Sequence, residues 1–213
     1  MSEQTSPPPT GDAPIFDAFW SLVAELGWRA ATLEAVARGA GLPLGGLRAR
    51  FPCRAALLAR HAAILDRVVI EGTVPEAPGS PRERVFDVLM RRFDAMAPHR
   101  AGLLRFLDEL PRDPLTALAL APLLGLSMAR MLEAAGVAAD GPLGVVRVKG
   151  LGAVWLVALQ AWRRDDQPDL SATMAALDRA LDRAEQVARG IRLPDGDRQT
   201  VPSAQPPQPA AEA

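Results

Sequence analysis

The sequence has no tyrosine, one cysteine, two histidines and one lysine, and each scarcity closes off a class of protein. With Cys53 alone there is no intrachain disulfide and no thiolate cluster to hold zinc or iron and sulfur, a pattern that reads as cytoplasmic. Catalysis would have to be assembled from His61, His99, Cys53 and few serines, so the chain is not expected to be an enzyme, and no cofactor or metal is expected. His61 on an alanine-rich helix is expected to be a packing residue, His99 a surface residue and Cys53 an inert thiol. Gly150-Leu151-Gly152 lacks the third glycine and the preceding strand of a nucleotide loop. Neither charge is in excess: 24 basic and 25 acidic residues give a formal net charge of -1, so any site for a polyanion is local. Long hydrophobic runs are missing too. Leu115–Ala129 and Gly150–Trp162 are uncharged but shorter than the roughly 18 residues of a spanning helix. They are expected to be buried helices, without stable membrane insertion. Met1–Asp12 lacks the charged-then-apolar order of a signal peptide.

What the sequence does have is apolar spacing of three and four almost throughout, with no alternating strand pattern. The expected fold class is all-α. With 213 residues, 49% of them hydrophobic, the chain can bury one substantial core or a small domain beside a larger one. Residues 1–12 and 194–213 are rich in Pro, Ser, Gln and Ala and are expected to be disordered tails. Between them, 13–60 reads as a small helical domain and 61–193 as a larger one. A first helix is expected over Pro14–Leu26, ending at Gly27, and Thr32 is placed to cap a short second helix. Gly41 breaks that helix, Pro43 opens a third that carries Leu47 and Phe51, and Pro52 opens a fourth. Ser80-Pro81-Arg82-Glu83 is a capping box with proline at the first helical position. Further helices follow over Pro114–Ala135, Pro142–Arg164 and Asp169–Gly190.

Two short helices that cross closely need a small residue at the contact, a turn residue tolerant of positive φ and an apolar anchor on the second helix. Ala37, Gly41 and Leu47 supply these in order, and Val36, Ala40 and Leu42 supply the apolar flank. Charge sharpens the reading. From Ala35 to Leu65 there is no carboxylate, while Arg38, Arg48, Arg50, Arg54 and Arg60 all fall in that window. A local cationic face on a helix-turn-helix fits phosphate binding.

The stretch Phe19-Trp20-(x5)-Leu26-Gly27-Trp28-(x3)-Thr32-Leu33-(x2)-Val36-Ala37-(x2)-Ala40-Gly41-Leu42-(x4)-Leu47-(x3)-Phe51-Pro52-(x4)-Leu57-Leu58 resembles the N-terminal DNA-binding domain of TetR-type transcriptional regulators over residues 13 to 60. The resemblance implies a helix-turn-helix domain followed by a larger helical effector-binding and dimerisation domain. It implies double-stranded DNA as partner, with Thr32, Arg48 and Arg54 on phosphates and Leu44, Gly45 and Gly46 facing base edges. Arg50 is placed within reach of a groove. The reading helix departs from the family in opening Pro43-Leu44-Gly45-Gly46, which offers few side-chain donors or acceptors for base discrimination.

A second resemblance lies in Trp162-(x2)-Asp165-Asp166-(x1)-Pro168-Asp169-(x3)-Thr173-(x3)-Leu177-Asp178-Arg179. This is similar to the end of the ubiquinone-biosynthesis accessory proteins, lipid binders that share the TetR fold, and implies as the alternative function a lipid carrier with a vestigial helix-turn-helix. Phe86, Met90, Phe93, Phe106, Met128, Met131 and Trp155 are the candidate lining of a pocket for an apolar small-molecule or lipid effector. Gly150, Gly152, Ala153, Ala158 and Ala161, followed by Ala172, Ala175, Ala176, Ala180 and Ala184, allow close helix approach. In TetR-like proteins the last two helices pair across a two-fold axis, and a homodimer is expected.

Overall fold

The computed structural model describes residues 11–74 and 78–190; the tail readings for 1–10 and 194–213 lie outside them. Among the described residues, nine α-helices build the fold, as the spacing of apolar residues implies. Helix α1 (Ala13–Leu26) buries Ile15, Phe16, Phe19, Trp20 and Val23 and stops at Gly27, whose φ of +85° suits a residue without a Cβ. Thr32 caps α2 (Leu33–Gly39), its hydroxyl oxygen accepting the Ala35 N–H at 3.2 Å. Gly41, at φ +66°, turns the chain into α3 (Leu44–Arg50), with Pro43 in the capping position. Leu47 is fully buried and anchors that helix. Phe51 lies just past the end of α3 and is buried there, and Cys53 rather than Pro52 stands at the cap of α4 (Arg54–Glu71).

Helix α4 links two layers. Its His61 packs on the rings of Phe16 and Trp20 in α1, while Asp66, one and a half turns on, belongs to the core of the larger layer. That layer comprises α5 (Pro81–Met96), α6 (Arg100–Glu109), α7 (Pro114–Ala134), α8 (Gly141–Trp162) and α9 (Ser171–Gly190). The capping box at the start of α5 forms in full, with Ser80 and Glu83 each satisfying the other's backbone N–H. Asp66 accepts hydrogen bonds from Arg92 of α5 and from the Ser127 hydroxyl of α7, and from Arg130 at 3.0 Å. Arg92 also lies over the Trp155 ring of α8, which stacks on Phe93 with centroids 4.6 Å apart. One buried carboxylate therefore ties α4 to α5 and α7.

The small layer is locked to the large one where α1 crosses α6. Gly102 lies so close to α1 that a Cβ there would stand 2.4 Å from the Trp20 carbonyl oxygen, a separation that no side chain tolerates. Burial departs from expectation in α7 and α8. The uncharged stretches sit only partly inside the protein: Leu115 is 79% and Leu118 72% exposed, and Leu126, Leu156 and Val157 are exposed as well, whereas Leu151, Val154, Trp155, Ala158, Leu159 and Trp162 are buried. Each helix packs through one side only. Both are also longer than their uncharged stretches, and by length and composition alone they reach what is needed to cross a bilayer.

Candidate nucleic-acid interface

Helix α3 has its buried side fixed by Leu47, which leaves Gly45, Gly46, Arg48 and Arg50 on the exposed side. Nothing lies within 4 Å of where a Cβ would stand at Gly45, so the backbone there is open to close approach by a large ligand. Leu44, placed among the base-facing residues by resemblance, is half-buried and packs against the core. Thr32 is spent on capping α2 but remains exposed.

The arginines differ in what holds them. Among the described residues Arg48 has no ion-pair or hydrogen-bond partner and is exposed. Arg38 pairs with Glu34 one turn earlier on α2 at 3.0 Å. Arg50 and Arg60 both bind the carboxylate of Asp12, Arg60 through Nε at 2.8 Å. The face is therefore less basic than the carboxylate-free window implies. Sequence distance hid this partner, because the fold carries Asp12 across 38 and 48 residues to reach the two guanidiniums.

Arg54 is held most firmly. Its guanidinium donates to the Trp28 carbonyl at 2.6 Å and lies over the Trp28 ring, 4.3 Å from the centroid. Trp28 is in turn fixed by the large layer. Its backbone N–H donates to Glu109 at 3.0 Å, its indole N–H donates to Asp113 at 3.1 Å, and its ring meets Phe106 edge-on at 5.0 Å. The hydrogen bond from Arg105, and then that from Trp28, hold the Glu109 carboxyl below the usual carboxylate range against desolvation. Asp113 is lowered mainly by Thr116, whose hydroxyl and backbone N–H it accepts while capping α7. Sequence reasoning placed Trp28 in the motif but missed this clamp, since its acceptors lie 81 and 85 residues away.

The open volume of the large layer lies elsewhere than expected. A groove of about 590 Å³ runs between the start of α5, the middle of α8 and the C-terminal half of α9, with Val85, Val146, Val154, Val157 and Leu181 among its walls. None of the seven candidate pocket residues lines it. Phe93, Met128 and Met131 are fully buried, Trp155 is stacked on Phe93, and Phe106 sits at the seam between layers against Trp20 and Trp28. Phe86 and Met90 are half-buried against the same core. The bulky side chains fill the interior, whereas small residues such as Gly150, Ala153 and Ala184 leave the space. Of the residues singled out for helix approach, Ala158 and Ala180 are buried within this chain, while Ala172 and Ala175 are exposed.

The acidic corner after α8 is structural. Asp165 is buried and accepts the Thr173 hydroxyl and N–H, each at 2.7 Å, and the Gln167 N–H. Burial raises its pKa, but these hydrogen bonds outweigh it and hold the carboxyl below the ordinary value. Arg100 ties the same turn from the other side through the carbonyls of Trp162 and Asp165, both at 2.8 Å. His61 is buried, as expected of a packing residue; burial, and then the fields of His99 and Arg92, lower its pKa to about 3. His99 is more enclosed than a surface residue, and bonds Asp17 at 3.0 Å. Cys53 is exposed. Among the described residues no group of His, Cys, Asp and Glu is arranged to hold a metal ion.

No family model matches the sequence, and no curated protein matches it. Solved structures do. A TetR transcriptional regulator from Nitrosomonas europaea ATCC 19718 superposes with a TM-score of 0.64 at 20% identity, over 82% of this chain and 97% of that one. A TetR transcriptional regulator from Rhodococcus sp. RHA1 gives a TM-score of 0.59 at 20% identity, over 81% of this chain and 93% of that one. The similarity to ubiquinone-biosynthesis accessory proteins finds no support in these comparisons. An N-terminal three-helix head, carried by α4 on a larger helical body, is the architecture of TetR-type regulators, and this chain has that fold.

Proposed function

We propose that the protein is a DNA-binding transcriptional regulator that works as a homodimer and answers to an apolar effector, with 13–60 as the DNA-binding domain and 61–193 as the effector-binding and dimerisation domain. One observation carries the reading. In a protein of net charge -1, α3 holds Arg48 exposed and without a partner among the described residues, beside an open, glycine-edged backbone at the end of a helix-turn-helix anchored by Leu47. A rigid helix that presents guanidinium groups beside bare backbone suits a duplex: the charges meet phosphates and the backbone meets the groove floor. Thr32, Arg48 and Arg54 are the proposed phosphate contacts, Leu44, Gly45 and Gly46 the residues nearest base edges, and Arg50 lies at the rim. With so few side-chain donors on α3, sequence preference rests on groove shape as much as on base hydrogen bonds.

Two heads engage a pseudo-palindrome when a two-fold axis sets them about 34 Å apart. The exposed apolar residues of α8 that lie outside the groove, Leu143, Val145 and Leu156, belong to the proposed dimer surface formed with α9. The groove between α5, α8 and α9 is the proposed effector entry, and the Phe93–Trp155 stack and the buried methionines form the layer behind it that shifts on binding. An effector releases DNA only if it binds the two head separations with different affinity; we take repression relieved by effector as the sense. The test is selection of bound duplexes from a random pool, followed by salt titration of the winner. An enriched two-fold sequence supports the reading, and binding no stronger than to random duplex sinks it.

A further inference from the structure

We propose that Arg50 and Arg60 form a phosphate-binding site that Asp12 occupies with its own carboxylate, so that the start of α1 acts as a tethered competitor for the DNA backbone. This rests on the reading of the head as a duplex-binding unit. The geometry points to it in three ways. First, a single carboxylate is shared by two guanidiniums from different helices, each bound to a different oxygen. This is how two arginines hold an oxyanion, whether carboxylate or phosphate. Second, the Asp12 side chain is only 12% exposed, whereas those of Arg50 and Arg60 are 44% and 50% exposed. The anion sits beneath, and the outer faces of the guanidiniums stay open to an incoming one. Third, Asp12 is not needed where it stands for local structure. Its side chain makes no cap hydrogen bond to α1, and its backbone carbonyl alone receives the first turn, from the Ile15 and Phe16 N–H groups at 3.1 Å. A carboxylate that does not cap its helix but neutralises two residues of the cationic face serves the face rather than the fold.

A phosphodiester carries the same single charge as the carboxylate, so the exchange conserves charge at the site: the phosphate oxygens take the guanidinium donors and Asp12 turns to solvent. The pair yields because both guanidiniums are open to solvent, which weakens an ion pair. Arg60, on the second turn of α4, thereby joins the DNA-facing set, and the wild-type affinity is set below what the arginines alone would give.

The test compares Asp12→Asn, which keeps the shape and removes the charge, with the wild type and with Asp12→Asn/Arg60→Ala. A random-sequence 20-base-pair duplex is the first probe, because phosphate contacts carry no sequence information. Asp12→Asn is expected to bind it about five-fold more tightly, with a salt dependence steeper by about one unit in log–log slope, and the added Arg60→Ala is expected to cancel both gains. Inorganic pyrophosphate, followed through the Arg Nε–H resonances by NMR, is the second probe, and should shift Arg60 at lower concentration in Asp12→Asn than in the wild type. Equal or weaker duplex binding by Asp12→Asn, beside a wild type that binds, overturns the competitor and leaves the DNA reading standing. A pyrophosphate response with no duplex binding by any of the three proteins keeps the anion site and ends the DNA reading. Failure of Asp12→Asn to gain on either probe ends the proposal.

Discussion

Arginine does opposite work in the two layers of this protein. In the head, Arg48, Arg50 and Arg60 are exposed; Arg50 and Arg60 share the Asp12 carboxylate, and Arg48 has no partner among the described residues. In the body, Arg92 is buried against a buried carboxylate and an indole ring, and Arg100 holds two carbonyls at the turn after α8. The side chain is the same; the solvent decides its role. A guanidinium in water exchanges one anion for another at little cost, whereas one enclosed with Asp66 has no alternative partner and becomes a structural tie. Charge faces solvent at one end of α4 and ties the core together at the other.

The sharpest way to break this contrast is to cut the buried tie. Asp66→Ala strands Arg92 without a counter-charge and is expected to lower stability by about 3–5 kcal/mol in urea unfolding. Asp66→Leu with Arg92→Met should recover much of that, since apolar replacement of a whole buried pair is often neutral. A loss of under ~1 kcal/mol for Asp66→Ala would mean that the two arginine sets are equivalent after all.

The seam between the layers yields the next largest effect. His61 has a pKa of about 3 in the folded protein, against about 6.5 when unfolded. Between those values the unfolded chain binds more protons, so stability is full above about pH 6.5 and falls as the pH drops toward 3, by up to about 1.4 kcal/mol per pH unit. Thermal melts from pH 7 to pH 5 should show the fall, and His61→Leu should flatten it. The lowered carboxyls of Asp165, Glu109 and Asp113 add their own losses, but only below their unfolded values near pH 4.

The head should answer in the reverse currency. Arg48→Ala is expected to change stability by less than about 0.5 kcal/mol while weakening duplex binding roughly ten-fold and reducing the salt slope by about one. Equal binding by mutant and wild type in fluorescence anisotropy would remove Arg48 from the interface. Smaller than that ten-fold binding loss, which is about 1.4 kcal/mol, is the effect of Thr32→Ala, which deletes the α2 cap and is expected to cost about 1 kcal/mol in urea unfolding.

The head was legible because its signals are local. Ala37, Gly41 and Leu47 are four and six residues apart, the cap at Thr32 is read three residues on, and the structure realises each of them. The capping box at Ser80 was legible for the same reason. What escaped is everything made by distant pairing. Asp12 under Arg50 and Arg60, Glu109 and Asp113 on Trp28, and Asp66 beneath Arg92 and Arg130 are joined only by the tertiary fold. The groove escaped for a different reason. Large apolar side chains signal burial but not vacancy, and an open volume arises where small residues face each other across helices whose spacing a single sequence does not state.

The crossing at Gly102 sets how motion can travel. With Gly102 set against the Trp20 backbone, α1 and α6 leave no room for a side chain between them, so the two helices are coupled at that point through direct steric contact. Were α6 displaced, the head would be expected to follow, and any bulk added at that one position would loosen the joint.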